Sequence, residues 1–243
     1  MSLKYQYEED EMPPEEDSTL GIAVPTPVYT YILLAAIIVV AVTQFVTGLD
    51  DSIERAGFAK QDFLHGQYWR ILTGATVHGS IIHVLMNSYA LFNVGRIFEM
   101  LANRAHLTIV FLLSAVAGGL LSLVFLPDGT SVGASGGIVG LIGYLAIYSF
   151  RRKQFISSSF RNNLLFNIGF LFVFGLVLWR VVDNYGHLGG LITGGVYGLL
   201  QIPSDPTVDP REARGPVEIA GLVALGVYIA ACIFSVVLIT RVI

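Results

Sequence analysis

Charge is scarce in this chain, cysteine nearly absent, and carboxylates are missing from its apolar stretches. Only 13% of the 243 residues are Asp, Glu, Lys or Arg, and the mean hydropathy is +0.68. A soluble domain carries about a quarter charged residues, so the composition excludes one and implies an integral membrane protein with the lipid bilayer as its surroundings. The lone cysteine, Cys232, lies in an apolar run, can form no internal disulfide, and reads as a small core or lipid-facing residue. The net charge is −4, and acidic clusters near the N-terminus hold much of the negative charge. No basic surface suits nucleic acid, so no nucleic-acid partner is expected. The short alternating strands of a closed β-barrel are lacking, as are internal repeats and low-complexity tracts.

What is present is a series of long apolar runs. About 20 apolar residues cross the hydrocarbon core as a helix, and seven runs free of Asp, Glu, Lys and Arg meet that need: Gly21–Leu49, Ile71–Gly95, Leu107–Pro127, Gly129–Phe150, Asn162–Trp179, Asn184–Ser204 and Ile219–Thr240. Backbone groups in lipid must be satisfied within the segment, which predicts helices. The expected fold class is therefore all-α, a polytopic transmembrane helical bundle. The first run follows Glu8-Glu9-Asp10-Glu11 and Glu15-Glu16-Asp17 and no basic segment, so it is not a cleavable signal peptide. Residues 1–20 read as an acidic, disordered tail, 21–202 as a core of six spans, 203–216 as a linker setting the last span apart, and 217–243 as a seventh span.

Lys and Arg placement sets the expected orientation. With the N-terminus inside, nine of the 14 basic residues (Lys4, Arg96, Arg104, Arg151, Arg152, Lys153, Arg161, Arg211 and Arg214) collect on the cytoplasmic side. Seven spans then put the C-terminus outside. The polar connection Asp50–Arg70 becomes an outer loop, partly ordered by Ile53, Phe58, Phe63 and Trp69.

Within this frame a few polar side chains carry the chemistry. Ser135 stands in Gly133-Ala134-Ser135-Gly136 near the start of span four, and His187 near the start of span six. Gly186, Gly190, Gly194 and Gly198 form one stripe of span six, and Gly133, Gly136, Gly137, Gly140 and Gly143 give span four a small face. Small residues at such spacing let helices approach closely in lipid, so spans four and six are expected to touch. Generic packing alone would account for the glycines; Ser135 and His187 at matching depth add a nucleophile and a base. A serine hydroxyl is weakly nucleophilic and needs a base within hydrogen-bond reach. With no Asp or Glu inside any run, a Ser–His dyad is expected. Asp183 either orients the imidazole or, with Asn184, caps the start of span six.

His83 and Asn87, at i and i+4, share one face of span two. They are either interhelical hydrogen-bond glue or donors to a developing oxyanion, where each donor is worth ~3–4 kcal/mol. The Ser135 N–H, at a helix start, would be a further donor. No His-Glu-x-x-His and no intramembrane carboxylate is present to complete a metal site. Neither metal nor cofactor is called for, and the absence of paired intramembrane aspartates argues against an aspartyl mechanism.

Trp69-Arg70, His83-x-x-x-Asn87, Gly95-x-x-x-Glu99, Gly133-Ala134-Ser135-Gly136 and Asp183-Asn184-Tyr185-Gly186-His187-Leu188-Gly189-Gly190 together resemble the rhomboid intramembrane serine proteases. Gly-x-Ser-Gly alone is a weak signal; the set, in this order and each at its expected span, is specific. The resemblance covers about Trp69 to Gly198, and the seventh span resembles the six-plus-one form of the family. It implies a six-helix catalytic core with Ser135 as nucleophile, His187 as base, and His83, Asn87 and the Ser135 N–H as oxyanion hole. Trp69 and Arg70 would stabilise the outer loop, Glu99 would tie down the inner end of span two, and Gly190 and Gly194 would support the helix contact. The implied partners are single-pass transmembrane protein substrates, entering near span five and cut near the outer face beside a small residue. Phe166, Phe170, Phe172 and Phe174 are then either a gate or lipid-facing aromatics. One position departs from the family: Val139 stands where an aromatic residue commonly packs against the histidine ring. Two other functions compete. A rhomboid-like helix-binding protein without activity usually lacks the serine or histidine, and this chain has both. A transporter with midplane polar residues would show internal repeats.

Overall fold

The computed structural model describes residues 26–241, apart from 206 and 214. In chain order these residues form α1 (Val28–Thr47), α2 (Leu49–Ala56), β1 (Phe58–Ala59), α3 (Lys60–Leu64), α4 (Arg70–Thr73), α5 (Ile81–Leu101), α6 (Arg104–Phe125), β2 (Thr130–Ser131), α7 (Ser135–Arg151), α8 (Ser158–Val177), α9 (Asn184–Gln201) and α10 (Gly215–Thr240). The architecture is an all-α polytopic bundle; β1 and β2 are only a short antiparallel pair that closes one end. The acidic tail assigned to residues 1–20, and the first residues of the first apolar run, lie outside the described residues.

The charge-free runs locate the long helices but misplace several ends. The run Ile71–Gly95 is not one helix: α4 stops at Thr73, a loop of residues 74–80 intervenes, and α5 starts behind the N-cap Ser80, whose hydroxyl accepts from the His83 N–H. At its other end α5 continues past Arg96 and Glu99. The expectation that no carboxylate lies inside a span therefore fails for Glu99, which is buried at the end of the bundle remote from Ser135. Gly129–Phe150 likewise begins as strand and turn, and helix starts only at Ser135.

Among the described residues, five helices (α1, α5, α6, α8 and α10) are long and apolar enough to cross a membrane. The other two expected spans fall short of that length or hydropathy. α7 has 17 residues and α9 has 18, both rich in glycine. The physical reason lies in their position: they pack against each other and against α6. Protein, more than lipid, surrounds their glycine faces, and a face shielded from lipid need not be apolar.

The α7–α9 contact is made backbone to backbone. A methyl group at Gly190 would overlap the Gly136 carbonyl oxygen, one at Gly194 the Gly140 carbonyl, and one at Gly143 the Leu191 carbonyl. In lipid, where apolar burial drives no helix association, this close approach supplies the dispersion contacts that do. It also fixes the register in which the starts of α7 and α9 lie side by side. α6 completes the trio, with Ser114 seated on Gly140 and Gly118 against the Gly186 carbonyl.

The remaining helices attach by a few polar pins. Glu99 Oε1 accepts from both the Thr30 N–H and the Thr30 hydroxyl at 2.7 Å, so a carboxylate of α5 satisfies donors in the first turn of α1. Hydrogen bonds to a charged group are worth about 1.5–3 kcal/mol each. Gly95 lets α5 approach, since a side chain there would meet Thr30. α8 is the least attached long helix: Leu164 and Gly175 are its buried residues, and its tie to α9 is the Asn184 amide donating to the Gly175 carbonyl at 2.9 Å. The connection after α9 separates α10 from the other helices along the chain and not in space. Arg152 donates to the carbonyls of Asp205 and Val208 in that connection, and α10 packs between α1 and α6.

Candidate active site

Gly133 has φ +117°, a left-handed conformation that favours glycine. Its N–H donates to the Gly74 carbonyl at 2.9 Å. This kink ends the β2 segment and turns the chain into α7, so that Ser135 occupies the first helical position behind the N-cap Ala134. The first N–H groups of a helix have no intrahelical acceptor, which leaves the Ser135 amide available as a donor.

α9 starts two residues after a bend at Val182. Asp183 is its N-cap and accepts from the Gly186 N–H at 2.8 Å through Oδ1. Its Oδ2 accepts from the hydroxyls of Ser122 on α6 and Ser131 on β2, at 2.6 and 2.5 Å. One carboxylate thus pins the start of α9 to two neighbouring segments. Of the two roles considered for Asp183, the structure shows the cap. Asn184 does not share it, because its side chain reaches to α8 instead.

One turn into α9, His187 is buried, and its Nε2 lies 2.9 Å from Ser135 Oγ. Its Nδ1 is also buried and has no hydrogen-bond partner among the described residues. The pair is therefore a dyad in this arrangement, with no carboxylate bonded to the imidazole. When Nε2 accepts the serine proton, the ring hydrogen sits on Nδ1. Val139, one turn below Ser135, is buried as well.

His83 and Asn87 face the same corner from α5. A methyl group at Gly133 would lie 2.8 Å from His83 Nε2 and 3.4 Å from Asn87 Nδ2. The Gly79 N–H points at His83 Nδ1 at 3.4 Å; with Nδ1 the acceptor, the ring hydrogen resides on Nε2, the ring nitrogen beside Gly133. Asn87 Nδ2 is buried without a hydrogen-bond partner among the described residues. An unpaired buried amide costs about 1–3 kcal/mol, which argues for a ligand acceptor more than for glue between helices. Ser135, Gly136, His187, Asp183 and Ser131 line a cavity of about 50 Å³, room for a few waters.

Trp69 and Arg70, expected to act together, do different things. Arg70 is buried; it donates to the carbonyls of Glu54 and Gly57 at 3.0 and 2.8 Å and pairs with Asp62 at 3.1 Å, which holds the α2–α4 connection. The Trp69 ring instead lies edge-on to Phe234 of α10, with centroids 6.1 Å apart. Of the α8 aromatics, Phe166, Phe170 and Phe174 stack in sequence, the first two exposed and Phe174 half-buried.

Several residues around the site gave no signal in the sequence. Ser122 is an isolated hydroxyl in an apolar run. Lys60 is buried beside Gly129; that burial lowers its ammonium below the ordinary lysine range, and the Asp183 carboxylate opposes the shift. His78 is fully buried with its ring edge-on to His83, 5.1 Å between centroids. Only the polar character of His78 and Gln44 amid apolar neighbours marked them.

Residues 65–204 match the family model described as Rhomboid domain. Among similar proteins are Rhomboid protease GluP of Bacillus subtilis, 31% identical over 172 residues, RHOMBOID-like protein 6, mitochondrial, of Arabidopsis thaliana, 33% identical over 140 residues, and Inactive rhomboid protein 1 of Homo sapiens, 35% identical over 130 residues. These alignments cover 69%, 54% and 53% of this chain and 34%, 43% and 15% of the respective relatives, so the chain spans less than half the length of each. With its helices of membrane-spanning length, the protein is an integral membrane protein and belongs to the rhomboid family.

Proposed function

We propose that the protein is an intramembrane serine endopeptidase that cleaves single-pass transmembrane helices near the outer membrane face. Family membership does not by itself assign activity, since relatives include both a named protease and proteins named inactive. The observation that carries the reading is the 2.9 Å contact between His187 Nε2 and Ser135 Oγ, both of which line a small cavity, with the unpaired amide donor of Asn87 beside Gly133.

The chemistry runs on the chain's own residues. Ser135 Oγ attacks the scissile carbonyl carbon as its proton passes to His187 Nε2. The carbonyl oxygen becomes an oxyanion, which the Ser135 N–H, Asn87 Nδ2 and His83 Nε2 are disposed to receive. The imidazolium returns its proton to the amide nitrogen, the C–N bond breaks, and the amine leaves. A water from the cavity then attacks the acyl-serine ester, giving its proton to His187, and the collapse of the second oxyanion restores Ser135. Electrostatic stabilisation by donors fixed before reaction is the largest contribution in such steps.

Residues 21–202 form the catalytic core, 203–216 the linker and 217–243 an added span. The preponderance of Lys and Arg on one side supports a cytoplasmic N-terminus in a cell membrane with the site facing outward. The sparse attachment of α8 supports substrate entry beside it, with Phe166, Phe170 and Phe174 along the route.

The test uses purified protein in liposomes with a single-pass peptide bearing a small residue near its outer end. Cleavage at one bond near that end, mapped by mass spectrometry, is expected. Asn87→Ala is expected to lower kcat by ~10²-fold with KM little changed, the loss found on removing one oxyanion donor. Equal kcat for Asn87→Ala and the unaltered protein would remove Asn87 from the site, and a peptide left whole by the unaltered protein would refute the protease reading.

A further inference from the structure

Residues 74–80 join α4 to α5, and 74–78 are buried where loops ordinarily lie at the surface. Thr76, Val77 and His78 are fully covered. Buried backbone groups must find partners, and this loop finds them on three other segments. The Gly74 carbonyl accepts from the Gly133 N–H. His78 is held at both backbone groups by the Gln44 amide of α1, its N–H donating at 2.9 Å and its carbonyl accepting at 3.2 Å. The remaining partners come from α10. Tyr228 Oη donates to the Ala75 carbonyl at 3.1 Å, and Ser235 Oγ lies 2.8 Å from Thr76 Oγ1. Because Thr76 Oγ1 gives its proton to the Thr73 carbonyl, Ser235 is the donor of that pair.

Tyr228 and Ser235 are two turns apart on one face of α10, and both are buried. They address consecutive loop residues, and the loop runs directly into the oxyanion side of the site. His78 packs edge-on against His83, Gly79 points its N–H at His83 Nδ1, and Ser80 caps the His83 N–H. The other side of the loop contacts Gly133, two residues before Ser135. The Tyr228 ring is itself braced edge-on by Phe111, 5.0 Å between centroids, so its hydroxyl is aimed and not free to swing.

We infer that Tyr228 and Ser235 of the seventh span are positioning residues for the oxyanion donors, so that α10 sets the rate of the reaction and is not merely an added anchor. The inference rests on the serine-protease reading. The hydroxyls touch no substrate; they act through Ala75 and Thr76 on the placement of His83 and on the Gly133 turn.

The test compares Tyr228→Phe, Ser235→Ala and the double variant with Thr108→Val, all in the full chain in liposomes. Thr108 donates to the Gly221 carbonyl at 2.7 Å, an α6–α10 hydrogen bond at the end of the bundle away from the site, so its loss loosens α10 without touching the loop. Loss of one net hydrogen bond corresponds to about fivefold. The double variant is expected to lower kcat by about fivefold or more with KM unchanged, while Thr108→Val leaves kcat unchanged. Amide exchange over residues 75–83, which needs no turnover, is expected to rise in the double variant only. Unchanged kcat or unchanged exchange in the double variant overturns the inference, as does an equal effect of Thr108→Val on either readout. If the unaltered protein does not cleave, the protease reading falls and the catalytic role of α10 with it; slowed cleavage with unaltered exchange defeats the inference alone.

Discussion

Replacing Ser135 by Ala is expected to lower the cleavage rate by ~10⁴- to 10⁶-fold, the range seen when a serine hydrolase loses its nucleophile. His187→Ala is expected to fall in the same range, because a dyad has no second group to take the proton. The geometry makes the two losses non-additive. With 2.9 Å between Oγ and Nε2, the pair acts as one unit, so the double variant should be little slower than either single one. Neither change should cost much stability, since a single hydrogen bond contributes about 1 kcal/mol. The measurement is initial rate together with the thermal midpoint of each variant in the same detergent. A double variant slower than the unaltered protein by the product of the two single effects would mean that the two residues act independently, against the dyad.

Gly194→Val is expected to destabilise the protein by about 3 kcal/mol or more, at or beyond the upper end for overpacked sites. Even a methyl group at Gly194 would overlap the Gly140 carbonyl oxygen, and the neighbour is backbone, which cannot swing away as a side chain can. The α7 and α9 axes would have to part, carrying Ser135 from His187, so activity is expected to fall with stability. Gly226 of α10 is the matched control. No atom lies within 4 Å of a methyl placed there, so Gly226→Ala should leave folding and rate unchanged. Unfolding midpoints in a denaturant series distinguish the two. Equal tolerance at Gly194 and Gly226 would mean that the glycine stripe is not what sets the helix separation.

The parts of the molecule that were legible from sequence share a cause. Ser135 and His187 stood out because each is a polar group near the start of a charge-free run, where burial of such a group is costly unless it has work to do. The glycine stripes of spans four and six were equally plain, because a four-residue period maps onto one helix face. What stayed hidden depends on tertiary surroundings. The run Ile71–Gly95 looks like one span because nothing in residues 74–80 is charged; that they form a loop, buried over 74–78, follows only from the partners Gln44, Tyr228 and Ser235. α7 and α9 were expected to match the other spans, yet they are shorter and rich in glycine, because neighbouring helices shield them. The shared carboxylate of Asp183 was half legible: a cap can be read from position, whereas its hydroxyl partners Ser122 and Ser131 come from other segments. Trp69 and Arg70 shared one task only by the family resemblance; in the fold Arg70 serves the loop and Trp69 packs on Phe234.

The most direct measurement of the account is covalent labelling of the purified protein with a fluorophosphonate, with the adduct located by mass spectrometry. One adduct is expected, on Ser135, lost in Ser135→Ala and in His187→Ala and retained in Ser131→Ala. An adduct on another residue, or labelling that persists in Ser135→Ala, would contradict the account.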